Sequence, residues 1–161
     1  MFRLVLFRDK KGNKGLFYMI KIVIDKAVLE RYKVFYFNKY PKRRKFPITS
    51  PVPQSINEWI YKKNYMVSKM KQDWKELVVW LIEELGYTNM KIERCRQYLT
   101  LYFDSHRRHD SDNYVPKFIN DGLTASGVVV DDDFEHITYL GVEGFVDMEN
   151  PRTEIVLEIL E

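Results

Sequence analysis

The sequence predicts an α+β fold, a mixed β-sheet packed against two main helices, and three patterns predict it. Residues 97–103 alternate, with Leu99, Leu101 and Phe103 on one face and Tyr98, Thr100 and Tyr102 on the other, the period of a half-buried strand. Trp74, Leu77, Val78, Leu81, Ile82 and Leu85 recur at i, i+3, i+4, i+7, i+8 and i+11, one apolar stripe of a helix. Aromatic and β-branched runs near both ends of the chain are bounded by Gly, Pro and Asn, as strands are.

Taken in order, residues 2–7 and 16–24 read as two strands of a hairpin around the Gly-containing loop 10–15. Residues 32–37, rich in aromatics, read as a further strand. Residues 39–45 carry five basic residues in seven, and Pro41, Pro47, Pro51 and Pro53 make 39–56 extended or loop. The main helix covers 66–85, with Gly86 as its stop. The alternating strand lies within 87–104. A shorter helix follows over 113–126, with Asp112 or Asn113 as its N-cap and Gly127 as its end. Residues 137–146 and 154–160 close the chain as strands around Asn150-Pro151.

A length of 161 residues suits one domain, 1–161, able to bury a core of its own. At 45% hydrophobic and 15% aromatic the chain is not a disordered one. Its single cysteine, Cys95, excludes an internal disulfide and fits a reducing compartment. No apolar run approaches the ~20 residues of a membrane span, and the apolar opening is too short for a signal peptide. The expected location is the cytoplasm, with no membrane partner.

Charge is strongly polarised. Residues 1–109 hold 24 Lys/Arg against 10 Asp/Glu, and residues 110–161 hold 2 against 13, so a balance of +14 faces one of −11. The basic part suits a polyanion such as nucleic acid. The acidic part contains six aspartates within 24 residues: Asp110, Asp112, Asp121, Asp131, Asp132 and Asp133. Crowded carboxylates are costly without counter-ions, and a hard divalent cation held by oxygen ligands explains them. Asp110 and Asp112 stand two apart at a strand-to-helix junction and reach one ion. The following helix and Val128–Val130 return the chain far enough to bring Asp131 or Asp132 beside them. Mg²⁺ uses one or two carboxylates, keeps waters and binds phosphate oxygens. Lys117, about one turn into the shorter helix, is placed to offset charge on a phosphoryl transition state. Arg107 and Arg108 suit phosphate contacts, and Lys42, Arg43, Arg44 and Lys45, following Lys39, suit a DNA-gripping arm as well as an ordinary exposed loop.

Other chemistries fit less well. An EF-hand loop starting at Asp110 needs Gly at its sixth position and Glu at its twelfth, where Val115 and Asp121 stand. An aspartyl-phosphate phosphatase needs Thr or Val where Tyr114 stands. No Gly-rich phosphate loop or zinc spacing is present, and His106, His109 and His136 form no recognisable ligand set.

Residues 107–133, Arg-Arg-His-Asp-Ser-Asp-Asn-Tyr-Val-Pro-Lys-Phe-Ile-Asn-Asp-Gly-Leu-Thr-Ala-Ser-Gly-Val-Val-Val-Asp-Asp-Asp, resemble the RusA family of Holliday-junction resolvases. The shared pattern is basic residues, Asp-x-Asp-Asn, a Lys in the next helix, Asp-Gly-Leu, a Gly-containing turn and Asp-Asp. Residues 50–57, Ser-Pro-Val-Pro-Gln-Ser-Ile-Asn, resemble that family's Pro-rich, Asn-containing segment. Residues 1–45 then stand as an N-terminal β-hairpin and basic extension, and 46–161 as a nuclease core. The resemblance implies a Mg²⁺-dependent endonuclease, with Mn²⁺ as a possible substitute, in which a homodimer cuts a four-way DNA junction inside a bacterial or phage-infected cell. It implies Asp110, Asp112 and Asp132 as essential carboxylates, Asp131 as the acid before the last of them, and Lys117 as the active-site lysine. Pro116 and one additional residue before Lys117 depart from the family's pattern. Two further readings stand beside this one. The first is a catalytically silent junction- or fork-binding protein of the same fold. The second is a metal-binding module whose basic half serves self-association.

Overall fold

The computed structural model describes residues 3–8 and 14–160, with side chains from Tyr18 onward. The elements run β1 (Arg3–Arg8), β2 (Lys14–Asp25), α1 (Lys26–Lys39), α2 (Ile56–Trp59), α3 (Asn64–Leu85), β3 (Cys95–Phe103), a 3₁₀ turn (Ser111–Asn113), α4 (Lys117–Ala125), β4 (Ile137–Val146) and β5 (Arg152–Ile159). One five-stranded sheet has the order β1-β2-β5-β3-β4. Its pairs are antiparallel except β3 with β4, which are parallel and joined through α4 as a crossover. The fold is the expected α+β class with a mixed sheet. The expected hairpin forms as β1 and β2, while residues 9–13, which include most of the expected loop 10–15, lie outside the described residues.

Period two decides which sheet face is buried. Ile20, Ile22 and Ile24 of β2, Leu99 and Leu101 of β3, and Ile155 and Leu157 of β5 are all buried on the face the helices cover. The opposite face is open and carries charge. There Glu154 accepts from Lys21 at 2.7 Å and Arg152 at 2.8 Å, and Arg152 lies 3.5 Å over the Tyr102 ring. The predicted stripe of α3 faces inward, with Trp74, Leu77, Val78, Leu81 and Ile82 each at most 1% exposed. Leu85, at the helix end, is exposed. Gly86 ends α3 in the left-handed region at φ 73°, which glycine adopts without steric cost.

Two expectations need correction. Residues 32–37 are not a strand; they belong to α1, so a third substantial helix joins the two expected. The Asp25 side chain accepts from the Val28 amide at 2.8 Å and caps the helix. Val28, Leu29, Tyr32 and Tyr36 make one buried helical stripe, and Tyr32 meets Trp80 of α3 at 5.2 Å between ring centroids. The β preference of aromatics is a packing preference, and here the packing partner is a helix. The second helix starts later than residue 113, and neither Asp112 nor Asn113 caps it. Pro116 has no N–H and biases the residue before it away from helix. The chain therefore makes a short turn at Ser111–Asn113, extends at Tyr114, and begins α4 at Lys117 with Pro116 in the cap position.

Helix α4 is set between β3 and α3 by two specific contacts. Gln97 Nε2 donates to Asn120 Oδ1 at 2.7 Å inside the core. Gly122 lies so close to α3 that an added Cβ would stand 2.4 Å from the Val78 Cβ. Among the described residues no helix is long and apolar enough to cross a membrane.

Candidate functional site

The predicted Asp110–Asp112 pair lies just beyond the carboxyl end of β3. Phe103 ends that strand, and the His109 ring stacks on it at 3.7 Å and 5°. His109 Nδ1 also pairs with the Tyr114 hydroxyl at 3.0 Å. The turn carrying both aspartates is thus anchored immediately before Asp110 and immediately after Asn113. Inside it, the Asn113 amide donates to the Asp110 carbonyl at 3.1 Å. Burial and the nearby Glu58 carboxylate push the Tyr114 phenol up, so it remains a neutral hydroxyl at physiological pH.

Arg108 Nε donates to Asp110 Oδ1 at 2.9 Å. Both partners are exposed, at 90% and 48% of their side chains, so the pair is screened and readily exchanged for another ion. Asp112 and Arg107 are exposed. Lys117 opens α4 rather than lying a turn inside it, and it too is exposed. None of these three makes a side-chain ion pair with a described residue.

The segment 50–57 is brought to the same place. Thr153 Oγ1 donates to the Pro51 carbonyl at 2.7 Å, and Trp74 Nε1 donates to Gln54 Oε1 at 3.0 Å, fixing the segment to β5 and α3. Glu58 accepts from the Ser55 amide at 2.6 Å and so starts α2. Ser50, Gln54 and Glu58 then line a recess of about 230 Å³ together with Asp104, His109 and Tyr114. Nothing in the sequence singles out Asp104 or Glu58. Folding brings them together across more than a quarter of the chain, and no spacing signal encodes it.

Asp131, Asp132 and Asp133 sit elsewhere. Ile92 bridges Val129, and the Cys95 amide donates to the His136 carbonyl at 2.8 Å, so these acids adjoin the amino end of β3. Asp110 adjoins its carboxyl end, and nine residues of strand span on the order of 26 Å. A parallel β-α-β crossover places its two loops at opposite ends of the sheet, and the acids follow those loops. The donors have the oxygen chemistry that Mg²⁺ takes, and Asp110 with Asp112 offers the one or two carboxylates it uses. All four carboxylates on one ion do not fit this arrangement. Among the described residues no three His, Cys, Asp or Glu side chains converge as a ligand set.

The acids of the second loop are individually engaged. Asp131 Oδ1 accepts from the Asp132 amide at 2.8 Å. Asp133 Oδ1 lies 2.6 Å from His136 Nδ1, and this contact draws the carboxyl down and pushes the imidazole up. Asp132 instead lines a recess between α3 and α4 with Asp121, Lys71 and Lys75. Neither lysine carries a sequence signature that singles it out. Lys42, Arg43, Arg44 and Lys45 are all exposed in the turn after α1 and form no ion pair with a described residue. Lys39, just before them, pairs with Glu76 at 3.5 Å.

No protein-family profile matches the chain, and no curated protein does.

Proposed function

We propose that the chain is a divalent-metal-dependent endonuclease that cuts branched DNA, four-way junctions foremost, as a homodimer. One observation carries the reading. Parts of the two segments that resemble the resolvases, 50–57 and 107–133, lie about a third of the chain apart in sequence, and yet Ser50, Gln54, His109 and Tyr114 line one recess at the carboxyl end of β3. Asp110 and Asp112, on the turn between the recess-lining His109 and Tyr114, would hold Mg²⁺. The ion, when bound, would polarise a phosphoryl oxygen and lower the pKa of a water. Arg107 and Arg108 contact backbone phosphates as positioning groups, and Lys117 offsets negative charge that grows on the phosphorus. Lys42–Lys45 supply sequence-independent attraction to the duplex arms.

A second reading, a junction- or fork-binding protein without catalysis, is favoured by the separation of Asp131 and Asp132 from Asp110. One experiment decides between them: the purified protein is incubated with synthetic four-way, forked and linear DNA, with Mg²⁺ and with chelator. The nuclease reading expects Mg²⁺-dependent cutting of branched substrates alone. Binding of the four-way DNA without cutting under any metal condition supports the silent protein, and indifference to all three DNAs sinks both. Asp112→Asn is expected to lower cutting by at least about 100-fold while junction binding is unchanged or tighter. Efficient Mg²⁺-dependent cutting by that variant would falsify the site assignment.

A further inference from the structure

The recess between α3 and α4 has a volume of about 400 Å³, and Lys71, Lys75, Asp121 and Asp132 are on its walls. None of the four makes a side-chain ion pair or hydrogen bond with a described residue, although two cations and two anions face the same space. Elsewhere the protein closes such pairs, as Lys69 does with Asp73 at 2.6 Å on the same helix. The walls are kept apart because their helices are locked. Gly122 seats α4 against Val78, and Asn120 ties it to Gln97 of β3. Lys71 and Lys75 are one turn apart on α3, so their ammonium groups serve one face. Ser68 and Thr124 also line the recess, and the Thr124 Oγ1 is buried with no hydrogen-bond partner among the described residues.

We propose that this recess binds a phosphate ester together with a divalent cation. Two lysines offer six ammonium protons to phosphate oxygens. A bare phosphate would be repelled by two carboxylates, and a bare cation by two ammonium groups. A phosphate carrying its own Mg²⁺ satisfies both walls, with Asp121 and Asp132 as oxygen ligands on the metal side. The volume lies in the range of small-molecule sites and accepts a group of nucleotide size. That the ester is a DNA backbone phosphate rests on the nuclease reading; the pairing of phosphate with cation does not. On that reading the protein holds DNA at two places, the Asp110–Asp112 turn and this recess, at opposite ends of the β-α-β unit.

The test uses Mn²⁺ as a paramagnetic probe on the full chain, isotopically labelled, with and without inorganic phosphate. Mn²⁺ is expected to broaden amide signals of residues 68–75 and 121–132, and phosphate is expected to tighten it at least about 5-fold, a usual coupling between two bound species. The Lys71→Ala/Lys75→Ala variant should keep the broadening and lose the phosphate effect. The Asp121→Asn/Asp132→Asn variant should lose both, while its remaining spectrum stays that of the folded protein. Broadening confined to residues 108–114, or Mn²⁺ binding at the recess indifferent to phosphate, overturns the proposal. No cutting step enters this measurement, so a protein that cuts no DNA and still shows the coupled binding would sink the nuclease reading alone.

Discussion

Cys95 illustrates how position governs chemistry at the scale of one residue. It opens β3, between β4 and β5, and is buried. Burial pushes its thiol up to about 11, because the interior disfavours a thiolate. The unfolded chain loses this proton at a lower pH, so the folded state binds it more tightly. The resulting stabilisation is complete below the unfolded thiol's pKa and is lost as pH rises from there through about 11. Cys95→Ala should flatten that alkaline decline in denaturant melts. In the native protein at neutral pH, a thiol reagent should modify Cys95 at least about 1,000-fold more slowly than in the unfolded chain, since access requires opening of the sheet. Rapid modification of the native protein would contradict the burial. His109 shows the same dependence on place. By sequence it belonged to no ligand set, and in the fold its ring rests on Phe103 and holds the turn that presents Asp110.

Between elements, the packing of α4 on α3 turns on the absent side chain of Gly122. An alanine in a helix is ordinarily worth up to about 1 kcal/mol more than a glycine. Here its Cβ would stand 2.4 Å from the Val78 Cβ and 3.3 Å from the Lys75 carbonyl, so the helices must separate. Gly122→Ala is expected to destabilise the fold by about 1–3 kcal/mol, the usual range for overpacking, as read from denaturant melts. Adding Val78→Ala removes the Cγ1 that would stand 2.7 Å away but keeps the Cβ, so the double-mutant cycle should show a coupling smaller than the Gly122→Ala loss. Unchanged stability in Gly122→Ala would show that α4 does not approach so closely. The same separation would move the Asp121 and Lys75 walls of the recess apart, linking helix packing to ligand binding.

For the whole molecule the governing quantity is the division of charge, +14 over residues 1–109 and −11 over 110–161. Folding interleaves the two parts. Glu154 of β5 meets Lys21 of β2 on the open sheet face, and the acidic loops lie at the two ends of β3. The exposed run Lys42–Lys45 follows α1 and remains uncompensated. On the proposed DNA-binding reading, replacing all four by alanine should weaken binding to every DNA alike and flatten the logarithmic salt dependence, by about 0.9 for each phosphate no longer neutralised. An unchanged slope would place the DNA elsewhere on the surface.

Much of the fold was legible because period and punctuation are local. The stripe from Trp74 to Ile82, the alternation over Leu99–Phe103 and the stop at Gly86 each encode an element through neighbours a few residues apart. The aromatic run 32–37 was not legible, since its side chains suit either a strand or a helix and the facing Trp80 decides. Of the candidate site, the residue types were legible in the chain: paired aspartates, adjoining arginines and a nearby lysine, although the chain did not show that Lys117 opens α4 rather than lying a turn inside it. Which acids share a place was not written there. Chain length permitted Asp131 or Asp132 to return to Asp110, but the parallel pairing of β3 with β4 puts their loops at opposite ends of the sheet. Spacing along a chain limits only how far two residues can be apart. Strand direction, a property of the assembled sheet, fixes where they are, and it sets Asp132 beside Asp121, Lys71 and Lys75 instead.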